Sequence, residues 1–437
     1  MFVTKRFLAI GFSLSALFIL GLELPWVFAT AQSLTASFVA LSLIDLALCY
    51  RHKNPLQGRR MVGDRFSNGD TNEVQIWVAN QLSLSLQIEV IDEIPIQFQE
   101  RNFKLQFKLA PNAEKAHSYN LRPTQRGEYH FGKLNIFLST TLGLIQRRIR
   151  HNQAHTVKVY PSYLLMRQYE LLAVSHRLTE VGIKRIRRIS NQSEFEKIRE
   201  YVEGDDIRSI NWRATARRNS LMVNQYQDEK AQEVYCLLDM GRTMKMPFNG
   251  MSLLDYSINA SLIISNIAMY KQDRAGLLSF SKEIHSMVAA QRRPGHLNTL
   301  LETLYHQQTE HAESDYQRLL VKLNHHIHKR SLMILFTNFE SLVTMRRQMP
   351  YLRLVAQKHL LLVVFFHNTE LNKLLETTPK QLDEIYTKTI AEKFDLEKRQ
   401  IILELERHGI HAILTAPKQL NVDLINKYLQ LKSLGKF

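Results

Sequence analysis

Two adjacent carboxylates, Asp205 and Asp206, stand in "YVEGDDIRSINWRATARR", with Arg199, Arg208, Arg213, Arg217 and Arg218 close by in the chain. Paired aspartates can hold Mg²⁺ or Ca²⁺, because hard cations collect several oxygens and gain most from charged ones. Arginine forks compete for the same oxygens and bind them bidentately. The local charge is positive, so an ion-pair network is expected in place of a metal site. The segment begins "SEFEKIREYVEG", where Ser193 with Glu196 fits a capping box. Phe195, Ile198 and Val202 fall on one face, which predicts a helix ended by Gly204. Ile210, Trp212 and Ala214 then alternate as in a strand, and "SLMVNQY" continues extended.

Other reactive residue types are sparse. His325, His326 and His328 share a predicted helix, but no carboxylate or cysteine completes a zinc set, and a solvated face is expected. There is no P-loop, no G-x-S-x-G elbow and no H-E-x-x-H. Nothing nominates a nucleophile and its base. Lys184, Arg185, Arg187 and Arg188 form a basic cluster that could lie against anionic lipid, although a solvated linker face is the simpler reading. No aromatic residues interleave it and no nucleic-acid module surrounds it, so nucleic acid is not an expected partner.

The elements that must position these residues fall into four parts: a membrane anchor over 1–60, a β-sandwich-like domain over 61–165, a linker and signature segment over 166–230, and an α/β domain over 231–437. A chain of 437 residues has room for several domains. Lys5 and Arg6 precede the uncharged run Phe7–Leu22, and a second run covers Leu24–Ile44. The second reaches the ~20 residues a spanning helix needs, and the first falls just short. A transmembrane helical hairpin is expected, with its turn at Glu23-Leu24-Pro25-Trp26. The rival is a signal peptide cleaved near "ATA", Ala29–Ala31. Arg51, Lys53, Arg59 and Arg60 follow the second run, which places the body on the cytoplasmic side of the plasma (inner) membrane. Asp45, near the end of that run, is expected to snorkel. The net charge of +16 fits a basic body beside a membrane, and Cys49 and Cys236 form no disulfide framework.

From Asn72 to Tyr160 the period is two: Val74, Ile76 and Val78 share a face, as do Phe103, Leu105, Phe107 and Leu109. Six or seven short strands with no helix suggest a β-sandwich. From Ala231 onwards apolar runs such as "EVYCLLDM", "SLMILFTN" and "HLLLVVFFH" alternate with helices. That rhythm implies a doubly wound parallel sheet, with ligands outside the carboxyl ends of its strands.

"EFEKIREYVEGDDIRSINWRATARRNSLMV" resembles the signature of the bacterial family called domain of unknown function 58, and "RGEYHFG" and "YPSY" fit the same pattern. The matching residues include Arg199, Gly204, Asp205, Asp206, Trp212 and Arg217. The resemblance implies two N-terminal membrane helices, a sandwich-like region and a von Willebrand factor A-like domain, with a MoxR-type AAA+ ATPase as partner. It also implies a Mg²⁺-type site after the first parallel strand. Asp239 takes the first place and Thr243 the last, with Asp315 in the threonine place. Gly241 and Asn338 stand where a hydroxyl and a carboxylate belong. A site short of two good ligands leaves at most weakly bound Mg²⁺ and no other cofactor. A salt bridge from Asp239 to Arg242 is the expected structural use of the loop. The expected function is a non-enzymatic, membrane-tethered adaptor in protein maturation or envelope upkeep. The alternatives are a metal-dependent hydrolase using Asp205, Asp206 or Asp239, and a membrane-tethered nucleic-acid-binding protein.

Overall fold

Apolar residues at the amino end fold as two helices, α1 (Lys5–Gly21) and α2 (Pro25–Tyr50), in a computed structural model that describes residues 1–101, 103–174, 182–183, 194–202, 205, 207–227, 231–367 and 382–435. The chain divides into two units, Met1–Tyr160 and Pro161–Phe437.

In the first unit α1 and α2 run antiparallel, with Phe7 against Phe38 at 5.0 Å and Phe18 against Phe28 at 5.7 Å. Of the described helices, α2 alone is long and apolar enough to cross a membrane. Phe12, Ile19, Leu20, Trp26 and Leu43 are each more than 60% exposed, a density of bare apolar surface that calls for an apolar partner.

The rest of this unit is rich in sheet. One sheet runs β1 (Phe2–Val3), β10 (Ile145–His151), β9 (Leu134–Ser139), β5 (Leu86–Asp92), β6 (Leu105–Leu109). A second runs β2 (Leu56–Val62), β4 (Asn72–Asn80), β7 (Glu114–Leu121), and a third β3 (Arg65–Ser67), β11 (His155–Tyr160), β8 (Gly127–Phe131). The period-two reading holds in β4, where Val74, Ile76 and Val78 are buried. In β6 only Leu109 is fully buried, and the strand starts at Leu105, two residues later than the alternation suggests. An Arg60–Asp92 ion pair lies inside the unit, and the Tyr119 hydroxyl donates to the same carboxylate at 2.6 Å.

Asp45 does not snorkel. It is fully buried, accepting hydrogen bonds from the Leu144 and Ile145 amides at 2.9 and 2.8 Å and from the Thr140 hydroxyl. Nearby, Arg147 caps α2 through the carbonyls of Cys49, His52 and Lys53. Thr4 donates from its amide to Leu144 O and from its hydroxyl to Gly143 O. The loop before β10 is thus tied to both helices, and the buried amides of Leu144 and Ile145 find their acceptor in Asp45.

The second unit opens with α3 (Tyr163–Val174), whose Met166 and Tyr169 join its core, and carries a short antiparallel pair, β15 (Pro247–Phe248) with β16 (Met251–Ser252). The main sheet is β18 (Ile284–Gln291), β17 (Arg274–Phe280), β14 (Glu233–Asp239), β19 (Leu332–Phe336), β20 (Leu360–Phe366), β21 (His411–Thr415). All neighbours are parallel except β17 and β18. Val234, Cys236 and Leu238 face one core with α5 (Leu253–Tyr270), α6 (His296–Tyr305) and α10 (Leu420–Ser433). Tyr235 and Leu237 face the other, with α7 (Tyr316–His326), α8 (Leu342–Lys358) and α9 (Leu382–Arg407). Helices on both faces leave no polar side for the strands, hence their unbroken apolar runs. The path leaves β14 for β17 on one side and returns to β19 on the other, so the order reverses beside β14.

Candidate functional site at the carboxyl ends of the parallel strands

Asp239 is the last residue of β14 and lies at this reversal, where open α/β sheets take their ligands. Its side chain is buried and its oxygens are engaged from within the fold. Oδ1 accepts from the Gly241 amide at 2.8 Å and from the Ser314 hydroxyl. Oδ2 accepts from Thr337 Oγ1 at 2.6 Å and Tyr316 OH at 3.2 Å. Burial pushes its carboxyl above the ordinary range, against the pull of these donors.

Several expectations are corrected here. The donors to Asp239 include neither Thr243, in the turn Arg242–Lys245, nor Asp315, which caps α7 by accepting from the Arg318 amide at 3.0 Å. Arg242 pairs with Glu313 and Glu340, each at 3.6 Å, and leaves Asp239 alone. A side chain at Gly241 would meet Ser314 Oγ at 2.3 Å, so a hydroxyl from a distant loop fills the space. Asn338 Oδ1 accepts from the Lys398 ammonium at 2.8 Å. The residues do not fit a Mg²⁺ ion: a single carboxylate, already saturated, faces neutral hydroxyls, and the place of the second acid is held by an amide bound to a cation. No group of three His, Cys, Asp or Glu able to hold a metal occurs among the described residues.

Sequence reasoning missed three further groups. Ser281, just past β17, touches His285 Nε2 at 2.8 Å and donates to Glu310 Oε2 at 2.5 Å. This is no relay: Glu310 meets the same ring nitrogen at 3.2 Å, so nothing orients the imidazole from behind, and Ser281 is buried. His367 Nε2 meets Asp395 Oδ1 at 3.0 Å, and Arg399 binds the other oxygen at 2.9 Å. Lys398 donates to Asn338 and, at 2.5 Å, to Phe339 O. Desolvation holds its amine down at about 8. Cys236 is sealed in the core, where burial pushes its thiol up to about 12 and removes it as a nucleophile.

The signature segment folds differently from expectation. Glu194–Glu200 is β12, paired antiparallel with β13 (Met222–Gln227), in place of a helix. Ile198 and Val202 are exposed, and pairing with β13 decides the backbone. Trp212–Arg218 is the helix α4 in place of a strand. Asn211 accepts from the Ala214 amide at 3.0 Å, and Asn219, at φ 55°, ends it. Arg199 grips Asp205 with two bonds, 2.8 and 2.6 Å, and Asp205 also accepts from the Val202 amide at 2.9 Å. Both partners keep Asp205 below the usual carboxylate range. This pair spans one turn and is partly exposed, while Trp212, Arg213, Arg217 and Arg218 face solvent. It pins a hairpin, and of the expected ion-pair network the described residues show this one half-buried pair. Gly204, Asp206, the Arg208 side chain and the basic cluster Lys184–Arg188 lie outside the described residues. His325, His326 and His328 are exposed.

Comparison with known proteins finds likeness in sequence over the signature segment and much of the α/β unit. Residues 197–394 match the family described as "Protein of unknown function DUF58". A curated relative, the protein YeaD of Bacillus subtilis (strain 168), described as uncharacterized, is 29% identical over 168 residues. That match covers 38% of this chain and 39% of the relative, so the likeness spans less than half of each protein. Among solved structures, a PapD-like domain of human CEP192 aligns at 12% identity over 25% of this chain and 90% of its own, with a TM-score of 0.20. The CARDB domain of the PF1109 protein of Pyrococcus furiosus aligns at 18% identity over 24% and 86%, with a TM-score of 0.18. Scores this low do not define a shared fold.

Proposed function

We propose that this chain is a membrane-tethered, non-enzymatic interaction module: the helices α1 and α2 form a transmembrane hairpin, the sheet-rich unit is a sandwich-like spacer, and the α/β unit presents a von Willebrand factor A-like face to a protein partner. The observation that carries the reading is the state of Asp239. The Asp239 carboxylate, at the strand-order reversal, spends both oxygens on four internal donors, which holds its loops in shape and leaves no lone pair to activate water. Asp205 is likewise consumed by Arg199, so the hydrolase reading loses two of its three acids. The doubly wound sheet, with an acid ending its first strand, supports the von Willebrand factor A-like reading. By family resemblance the partner is a MoxR-type AAA+ ATPase, with a role in protein maturation or envelope upkeep.

The test is co-purification. Full-length chain in detergent should retain a MoxR-type ATPase when the ATPase is loaded with a non-hydrolysed nucleotide. Clean separation under those conditions, with both proteins folded, removes the proposed partner.

A further inference from the structure

A cavity of about 280 Å³ opens at the carboxyl ends of β19 and β20, lined by Phe248, Leu253, Phe366, Phe394, Pro417 and Lys398. Its walls are largely aromatic and aliphatic, the usual make-up of a ligand pocket, and its volume is at the lower edge of the ~300–1,000 Å³ such pockets span. It suits a group the size of one aromatic side chain and excludes a nucleotide. The charges around it are accounted for with one exception. Asp395 is bound by His367 and Arg399, and Glu340 is turned to Arg242 at 3.6 Å. Lys398 makes no salt bridge among the described residues; its hydrogen bonds go to two neutral carbonyl oxygens, of Asn338 and Phe339. An ammonium carries three donors. Glu340 and Glu397 act on this ammonium only from beyond ion-pair distance, and the Phe365 ring lies 5.8 Å from it. A desolvated cation without a direct ion pair is costly, and here it stands in the wall of an apolar cavity.

We infer that this cavity binds a carboxylate carried on an apolar group, with the Lys398 ammonium as its counter-ion. Phe394 and Lys398 lie four residues apart on α9, so one helix face offers an apolar wall and a cation together. The aromatic or branched body of the ligand fills the space between Phe248, Phe366 and Phe394. Its carboxylate takes the third donor of Lys398 in a charge-assisted bond. Such a group reaches the cavity from a free amphipathic acid or from the carboxyl-terminal residue of a peptide. The inference stands apart from the adaptor reading, since a small acid would satisfy the site without any protein partner.

Calorimetry on the full chain in detergent tests it, with phenylbutyrate, its alcohol phenylbutanol, and a pair of peptides ending in phenylalanine with free and amidated carboxyl groups. The acid should bind at least about tenfold more tightly than the alcohol, since a charge-assisted bond to a desolvated ammonium is the difference between them. Affinity should fall as pH rises past the Lys398 value of about 8, approaching about tenfold per pH unit, because the bound form requires the proton. Glu340→Gln should strengthen acid binding by removing a rival carboxylate, and Lys398→Met should erase the preference for acid over alcohol. Tighter binding of the free peptide than of phenylbutyrate assigns the site to a chain end, and the reverse to a small acid. Equal binding of acid and alcohol, or no binding of any probe at millimolar concentration, overturns the inference. If Lys398→Met does not fold, the pH profile of the natural chain and the Glu340→Gln variant still decide.

Discussion

At the scale of single residues, Asp239 separates a structural acid from a chemical one by the kind of donors that hold it. Three of the four are hydroxyls, which can rotate to accept, and only the Gly241 amide is a donor by necessity. An asparagine can keep its oxygen toward Gly241 and turn its amide toward Thr337 and Tyr316. Asp239→Asn should therefore change stability by less than about 1 kcal/mol, whereas Asp239→Ala leaves the buried donors unpaired and should cost about 2–4 kcal/mol. The pH dependence has a definite sign. Burial raises this carboxyl above its unfolded value, so the native state holds the proton where the unfolded state has lost it. That contribution to stability is whole below the unfolded pKa and fades as pH rises through the native one. Denaturant titrations across acidic pH should show this loss in the natural protein and its absence in Asp239→Asn. A variant with the same slope would place the titrating group elsewhere. Asp239 was legible in the sequence because an acid ending a buried strand is conspicuous. Lys398 was not: it sits in a long helix rich in charged residues, and only the folded neighbours reveal that it makes no direct ion pair among the described residues.

At the scale of elements, Asp45 acts as a latch. Its Oδ2 takes the amides of Leu144 and Ile145 and its Oδ1 the Thr140 hydroxyl, so a loop before β10 is capped by a side chain from α2. Asp45→Ala removes the acceptor for two buried amides and should destabilise the first unit by about 2–4 kcal/mol, read as a lower melting temperature in detergent. Asp45→Asn keeps an acceptor for both amides and should lose far less. If the two variants melt alike, the latch has no energetic role. The sequence places Asp45 one turn from the end of an apolar run, and snorkelling follows if water is the nearest polar partner. The loop supplies a nearer one from almost a hundred residues away. The signature segment departs from the expected helix for a related reason. β12 is a strand because Met222–Gln227 pairs with it, and the periodicity of Ile198 and Val202 cannot register a partner more than twenty residues on. The parallel strands were legible because burial on both faces leaves only apolar residues to choose from.

At the scale of the whole molecule, the proposed orientation at a membrane rests on the first unit. The uncharged faces of α1 and α2 are bare, and the positive residues Lys5, Arg6, Arg51 and Lys53 lie at the end where the sheets begin. Phe2–Val3 pairs with β10, which brings the start of α1 to the same end as the close of α2. With both ends and their positive charges together, the hairpin proposed above would place that end in the cytoplasm. Protease added outside intact cells or right-side-out vesicles should therefore leave the body whole, and protease added to inverted vesicles should digest it. Alkaline carbonate should not release the chain from either. Reversing the charges at Lys5, Arg6, Arg51 and Lys53 should lower the inserted fraction or invert the protection pattern, since few positive groups near the spans hold the orientation. Digestion of the body from the outside would reverse the topology, and would separate the α/β face from any cytoplasmic ATPase, whatever the chemistry of its cavity.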